Sequence, residues 1–299
     1  ITIETTSLPK MNQAEPTMTA DISLVLCTYG RTEDVNNFLK SISMQTLKPS
    51  EIIVIDQNEK DILSGLIRKW KHELNLIHKR VDFKGASKSR NYGAKEAKCS
   101  LIAFPDDDCL YPPSTIERVV ELFEKQKDVD AIITAKIEPS QIDKSNCASS
   151  KYSRIKSILD LFKAKAETSN IFTRRRALES LPYIFNENIG PGAGTAWVSN
   201  EETDLLIRLL KNKKTIIKLI DLAIAHHSSQ GTILKSLKYG MGRFELILNN
   251  KLGFKLYTIN LLQPIARFLK NPRPYGLLLC ISTMAGRSGL LNLMYKLLK

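Results

Sequence analysis

Residues 22–27, Ile-Ser-Leu-Val-Leu-Cys, form a nearly continuous apolar run that stops abruptly at Thr28-Tyr29-Gly30. A run this short and this apolar reads as a strand buried on both faces. Three more follow: 51–55, ending at Asp56; 74–81; and 101–104, ending at Asp106-Asp107-Asp108. Between them, 32–45 carries Val35, Phe38, Leu39 and Ile42 at helical spacing, with Thr32 placed as N-cap. Residues 61–72, 86–98 and 114–126 also suit helices, and 131–137 is again strand-like. Strand alternating with helix predicts an α/β fold, a mostly parallel central sheet flanked by helices on both faces.

In such sheets, ligands sit at the carboxyl ends of the strands. Three of these ends carry polar chemistry: Thr28-Tyr29, Asp56, and the triple aspartate. Three adjacent carboxylates repel one another, and their simplest use is to hold a divalent cation; hard oxygens suit magnesium or manganese. In an extended chain Asp106 and Asp108 share one face, and Asp107 points away. The plain structural alternative is a solvated acidic turn ahead of the next helix. Asp56 could accept hydrogen bonds from a base or a ribose, or simply shape its own turn. Arg90 and Lys88, on the first turns of the 86–98 helix, could meet a pyrophosphate or lie exposed.

Beyond residue 140 the alternation fades. Residues 140–165 are rich in Ser, Lys and Asn, 169–172 suits a short strand, and the glycine-rich 188–195 reads as a flexible loop. That loop is no P-loop, since no Gly-Lys-Ser/Thr follows. A helix is expected from Ser199 or Asn200, with Leu205, Leu206, Leu209 and Leu210 on one face. Ser199 to Glu202 has capping-box spacing, which would turn the Glu202 carboxylate back onto the chain. Asp204 and Arg208 have the spacing of a surface ion pair. Residues 215–220 suit a strand, followed by His226 and His227, of which His226 is the preferred candidate for a metal ligand.

The ordered set of Cys-Thr-Tyr-Gly-Arg, strand-Asp56, Gly85…Ser-Arg-Asn-Tyr-Gly93, Phe-Pro-Asp-Asp-Asp and Asn-Glu-Glu-Thr-Asp-Leu-Leu-Ile-Arg resembles the family 2 glycosyltransferases, which have the GT-A fold. The resemblance runs from about Ile22 to His227. It implies an inverting enzyme that moves a sugar from a nucleoside-diphosphate sugar, a UDP-sugar first, to an acceptor hydroxyl with Mn2+ or Mg2+. Thr28, Tyr29, Arg31, Asp56, Arg90, Asp106 and Asp107 would border the donor. Asp106, Asp108 and His226 would hold the metal, in the manner of a DxD motif. The second acid of the later motif points to Glu202 as general base. Glu stands there where Asp is usual, and Asn200 where Gly is common, so Glu201 stays open beside Glu202. A metal-dependent nucleotidyltransferase is the competing enzyme class, although a single glycine after the first strand fits it poorly.

The net charge is +13, and residues 231–299 hold +10 of it. That region is apolar as well as basic, but its longest uninterrupted apolar segments fall short of the roughly 20 residues of a span. It reads as helices lying on an anionic membrane surface, or as a helical cap on the catalytic domain. It lacks the interleaved aromatics of a nucleic-acid binder, so no nucleic-acid partner is expected. A purely lipid-binding, non-catalytic protein is the third alternative. Residues 1–20 have no apolar core of a signal peptide and are expected to be a loose tail. Five cysteines without CxxC spacing point to a reducing compartment rather than a disulfide framework or zinc site. The expected organisation is a 1–20 tail, a 21–230 domain with a nucleotide-sugar half (21–137) and an acceptor half (138–230), and a basic 231–299 region. The expected setting is cytoplasmic, peripheral on the inner face of the cell membrane, with a glycan or lipid-linked saccharide as acceptor.

Overall fold

The computed structural model describes residues 19–144, 151–227 and 231–298. Most of the expected tail and residues 145–150 of the 140–165 segment, Cys147 among them, lie outside the described residues. The chain runs β1 (Thr19–Thr28), α1 (Thr32–Ser43), β2 (Lys48–Asp56), α2 (Ser64–Trp70), β3 (Leu76–Arg80), α3 (Ala86–Glu96) and β4 (Leu101–Ala103). Then come β5 (Cys109–Leu110), α4 (Thr115–Lys125), β6 (Val129–Ile137), β7 (Tyr152–Arg154), α5 (Ile158–Lys163), β8 (Ile171–Arg174) and α6 (Arg175–Glu179). The last part is α7 (Glu201–Lys211), β9 (Thr215–His226), α8 (Ile233–Asn249), α9 (Gly253–Lys270), α10 (Pro274–Arg287) and α11 (Leu290–Leu297).

One sheet organises these elements, in the order β3-β2-β1-β4-β8-β6-β9-β5, with β7 also on β9. The strand periodicity sorts the core into two layers. Ile22, Leu24 and Leu26 of β1, with Ile52 and Val54 of β2, pack under α1, α2 and α4. Val25, Ile53 and Ile55 face the other way, into the layer that includes α7. Helix α3 reaches that face through Gly93, where a Cβ would sit 2.4 Å from Val25. The α/β architecture is as expected, with one difference of topology. β8 is inserted antiparallel between β4 and β6, and β5 and β7 run antiparallel on β9, so the sheet is mixed.

Three local expectations are corrected. Thr32 opens α1 rather than capping it; Arg31 is the N-cap, without a side-chain capping bond. The 215–220 strand continues to His226, because a register shift in the β6 pairing absorbs the irregular stretch before Ala223. A simple alternation count misses a strand interrupted by a bulge. The Ser199 capping box does not form: α7 starts at Glu201, behind a left-handed Asn200. Ser199 Oγ instead accepts a hydrogen bond from Asn200 Nδ2, at 2.8 Å.

The basic C-terminal region packs as helices against the sheet domain. α8 and α10 cross almost in backbone contact at Gly240 and Gly286. A Cβ at Gly286 would lie 2.2 Å from the Leu237 carbonyl oxygen, and one at Gly240 2.6 Å from that of Thr283. Among the described residues no single helix is long and apolar enough to cross a membrane; α10 and α11 together pass by length and composition, but bend by 52°.

Candidate functional site

A cleft of about 790 Å³ opens where β1, β4 and β9 end, and it is lined from both halves of the domain and from the C-terminal helices. The triple aspartate enters it from a turn. β4 ends at Ala103, Asp106 bridges Cys27 of β1, and the chain turns back so that β5 pairs with β9. In that pairing Cys109 stands opposite His226, which fixes the histidine beside the acids.

The three aspartates divide by direction. Asp108 Oδ1 lies 3.0 Å from His226 Nε2, and Asp106 Oδ2 lies 3.8 Å from the same nitrogen. Asp107 turns the opposite way, into the protein, accepting hydrogen bonds from Thr28 Oγ1 at 2.7 Å and Arg31 Nη1 at 3.0 Å. Arg31 also reaches Asp108 Oδ2 at 2.6 Å. The His226 hydrogen bond holds the Asp108 carboxyl well below the usual carboxylate range, burial opposes this, and Arg31 adds to it. Burial pushes Asp107 up to about 6 against the pull of Thr28 and Arg31. Burial disfavours charge on His226, but Asp108 outweighs it and raises the imidazole pKa.

Arg90 joins the two halves of the site. It is buried, and its guanidinium donates to Asp106 Oδ1 at 2.8 Å and to Glu201 Oε1 at 3.1 Å. Burial works against its charge, yet these carboxylates more than compensate and raise its pKa. Glu201 is therefore committed to an ion pair. Glu202 has no such cation within ion-pair distance among the described residues; it accepts a hydrogen bond from Thr203 Oγ1 at 2.7 Å and lines the cleft. Burial pushes its carboxyl up to about 7, Glu201 adds to the rise, and Thr203 and Arg243 oppose it. Asp204 and Arg208 pair at 2.8 Å, but Asp204 is buried and Arg208 also holds the Tyr183 and Ile184 carbonyls, so the pair is structural rather than superficial.

Asp56 lies apart from the cleft lining. It is fully buried, with Oδ1 accepting from the Asn58 backbone and side chain and Oδ2 facing His78 Nε2 at 3.0 Å. Asn58 in turn accepts from the Gly30 amide at 2.7 Å, so Asp56 shapes the loop that carries Tyr29. Tyr29 is exposed, with Lys84 Nζ 4.0 Å above its ring. The 188–195 loop is tied down by Ser87 Oγ on the Ile189 carbonyl and by the Ala86 amide on that of Pro191.

Asp106, Asp108 and His226 offer hard oxygen and imidazole donors to one space, a set that suits Mn2+ or Mg2+. As they stand, no three such groups among the described residues are arranged to hold a metal ion. Sequence reasoning missed Glu167, 3.4 Å from His226 Nδ1, and Lys136, which pairs with Glu167 at 2.9 Å. It also missed Arg243, Arg267 and Arg287, which line the same cleft from α8, α9 and α10. The basic excess was legible, but not that three of its arginines line this cleft.

Residues 23–181 match the family model described as glycosyl transferase family 2. A relative in Escherichia coli, the UDP-Glc:alpha-D-GlcNAc-diphosphoundecaprenol beta-1,3-glucosyltransferase WfaP, is 29% identical over 106 residues, 36% of this chain and 42% of its own. The Staphylococcus aureus TarS 1-349 structure in complex with UDP-GlcNAc superposes with a TM-score of 0.59 at 16% identity, covering 76% of this chain and 65% of that one. The mannosyltransferase PcManGT from Pyrobaculum calidifontis, in complex with GDP-Man and Mn2+, gives a TM-score of 0.58 at 14% identity, covering 96% and 84%. These structures share the fold. The chain spans less than half the length of the curated relatives it matches.

Proposed function

The chain belongs to glycosyl transferase family 2, and on that footing we propose that it is an inverting glycosyltransferase, moving a sugar from a nucleoside-diphosphate sugar to an acceptor hydroxyl. The observation that carries this reading is the meeting, in one cleft, of the Asp106–Asp108–His226 group with Glu202 from the other half of the domain.

The donor diphosphate would lie over Asp106 and Asp108, with Tyr29 and Arg31 bordering the nucleotide and Asp56 keeping their loop in place. Asp106, Asp108 and His226 would hold Mn2+ or Mg2+, which supplies neutralising charge for the departing nucleoside diphosphate. Arg90 fixes Asp106 and Glu201 relative to each other. Glu202, with a carboxyl pKa of about 7, is half ionised near neutrality, which suits a general base for the acceptor hydroxyl. A single in-line displacement on the face opposite the diphosphate inverts the anomeric carbon.

The acceptor we assign is a glycan or lipid-linked saccharide presented at an anionic membrane surface, in surface polysaccharide synthesis. The C-terminal helices support this. Phe254, Leu269, Leu290, Leu293 and Leu297 are each more than 60% exposed on a region with net charge +10. The surface would be the inner face of the cell membrane, and the four described cysteines are all free, as in a reducing cytoplasm. The test is a panel of UDP- and GDP-sugars with Mn2+ or Mg2+, read for released nucleotide. Release of nucleoside diphosphate supports the reading; release of pyrophosphate would replace it with nucleotidyl transfer.

A further inference from the structure

The cleft has a second electrostatic end. Five of its carboxylates share three cations: Asp107 and Asp108 with Arg31, Asp106 and Glu201 with Arg90, and Glu167 with Lys136. Glu202 alone is left, and facing its end are Arg243, Arg267 and Arg287, none of which has an ion-pair partner among the described residues. At this end three guanidinium groups stand with one carboxylate, whereas the other end carries five carboxylates on three cations.

The folding of the C-terminal helices explains how they meet. The contact of Gly240 with Gly286 brings α8 and α10 together; Arg287 follows Gly286 directly, and Arg243 lies three residues after Gly240. Arg287 is placed further by a proline. Pro264 has no amide hydrogen, so the Asn260 carbonyl four residues earlier in α9 lacks its helical donor. Arg287 Nη1 fills that gap at 2.6 Å and also reaches Gln263 Oε1 at 3.1 Å. The fold uses that one nitrogen, and Arg287, only 6% exposed, keeps its Nε buried without a hydrogen-bond partner. Arg243 likewise has Nη1 buried and unpartnered. Leaving charged donors unmatched costs stability, as does crowding like charges. The crowding is evident, since burial, then Arg243 and Arg267, lower the pKa of Arg287. Ser236 and Tyr239 of α8 and Thr283 of α10 add hydroxyls to the same wall.

We propose that Arg243, Arg267 and Arg287 form a binding site for a phosphate group on the acceptor, beside the base and distinct from the donor's diphosphate site. This rests on the glycosyltransferase reading and narrows its acceptor to one that carries a phosphate near the hydroxyl to be glycosylated. Planar guanidinium donors suit phosphate oxygens, and the charge left after Glu202 is satisfied matches that of a phosphate. The group could belong to a lipid phosphate carrying the saccharide or to a phosphodiester in a soluble glycan.

Calorimetric titration of the full chain, with UDP, GDP and Mn2+ tested alone first, separates these cases. Farnesyl phosphate in nonionic micelles and glycerophosphoglycerol in solution are the two probes, with farnesol and glycerol as controls. With nucleotide saturating, at least one phosphate probe is expected to bind, and Arg267→Gln and Arg243→Gln should each weaken it by about tenfold or more while nucleotide affinity is unchanged. Preference for farnesyl phosphate assigns a lipid source, and preference for glycerophosphoglycerol a glycan. The exposed Arg267 guards against misfolding: Arg267→Gln should melt no lower than wild type, since it relieves repulsion. The proposal is overturned if neither probe binds, if both variants bind as wild type does, or if they weaken nucleotide instead. Arginine-dependent phosphate binding without any nucleotide binding would sink the glycosyltransferase reading and leave this site standing.

Discussion

Replacing Glu202 by Gln keeps the side chain's size and its hydrogen bond from Thr203 but removes the proton acceptor. A positioned general base contributes about 10² to 10⁴ in rate, or roughly 3 to 5 kcal/mol of barrier. The Glu202→Gln enzyme should lose turnover in that range while its nucleotide affinity stays at the wild-type value. The structure also sets the pH dependence. Burial and Glu201 place the Glu202 carboxyl at about 7. The ionised, active fraction is then about one tenth at pH 6, one half at pH 7 and nine tenths at pH 8. Wild-type kcat/KM for the acceptor should therefore rise about tenfold from pH 6 to pH 8 and level off above. Arg243 opposes the rise in pKa, so Arg243→Gln should move this limb to higher pH. The assay is nucleoside-diphosphate release with saturating donor and limiting acceptor across roughly pH 5.5 to 9. A limb that survives in Glu202→Gln belongs to another group, His226 being the nearest candidate. A flat wild-type profile, or wild-type turnover in Glu202→Gln, would refute the assignment.

Asp108→Asn should weaken Mn2+-dependent nucleoside-diphosphate binding by about tenfold or more, measured by calorimetry; unchanged affinity would remove Asp108 from the ligand set. Gly286→Leu forces α8 and α10 apart and should cost about 1–3 kcal/mol or more in chemical denaturation, and an unchanged midpoint would mean that the crossing adapts freely. Serine at Leu290, Leu293 and Leu297 together should lower flotation with phosphatidylglycerol vesicles and leave soluble-acceptor turnover intact. Equal flotation would place membrane contact elsewhere.

Much of the fold was legible because it rests on local patterns. The short, continuous apolar runs of β1 and β2 mark strands buried on both faces, and the helical spacing of Val35, Phe38, Leu39 and Ile42 marks the buried side of α1. The strand-end acids were legible for the same reason: a buried run that stops at carboxylates has few other uses. Where the sequence misled, local and long-range readings competed. Ser199 to Glu202 has capping-box spacing, but α8 packs on Ser199, and Asn200 takes a left-handed conformation that starts the helix one residue later. That shift leaves Glu202 available to the cleft. The bulge in β9 hid the strand that carries His226 to the aspartates.

Residue chemistry and order along the chain thus determined that this protein has an α/β sheet with an acidic cluster at its strand ends. They determined too that its last quarter is basic and apolar. Which groups meet was decided only by tertiary structure, because each meeting joins positions far apart in the chain. Arg90 spans Asp106 and Glu201; β5 on β9 brings His226 to Asp108; a glycine crossing and a proline gap turn Arg243 and Arg287 inward. Local periodicity has no access to such distances, since it records which face is buried and not what it is buried against.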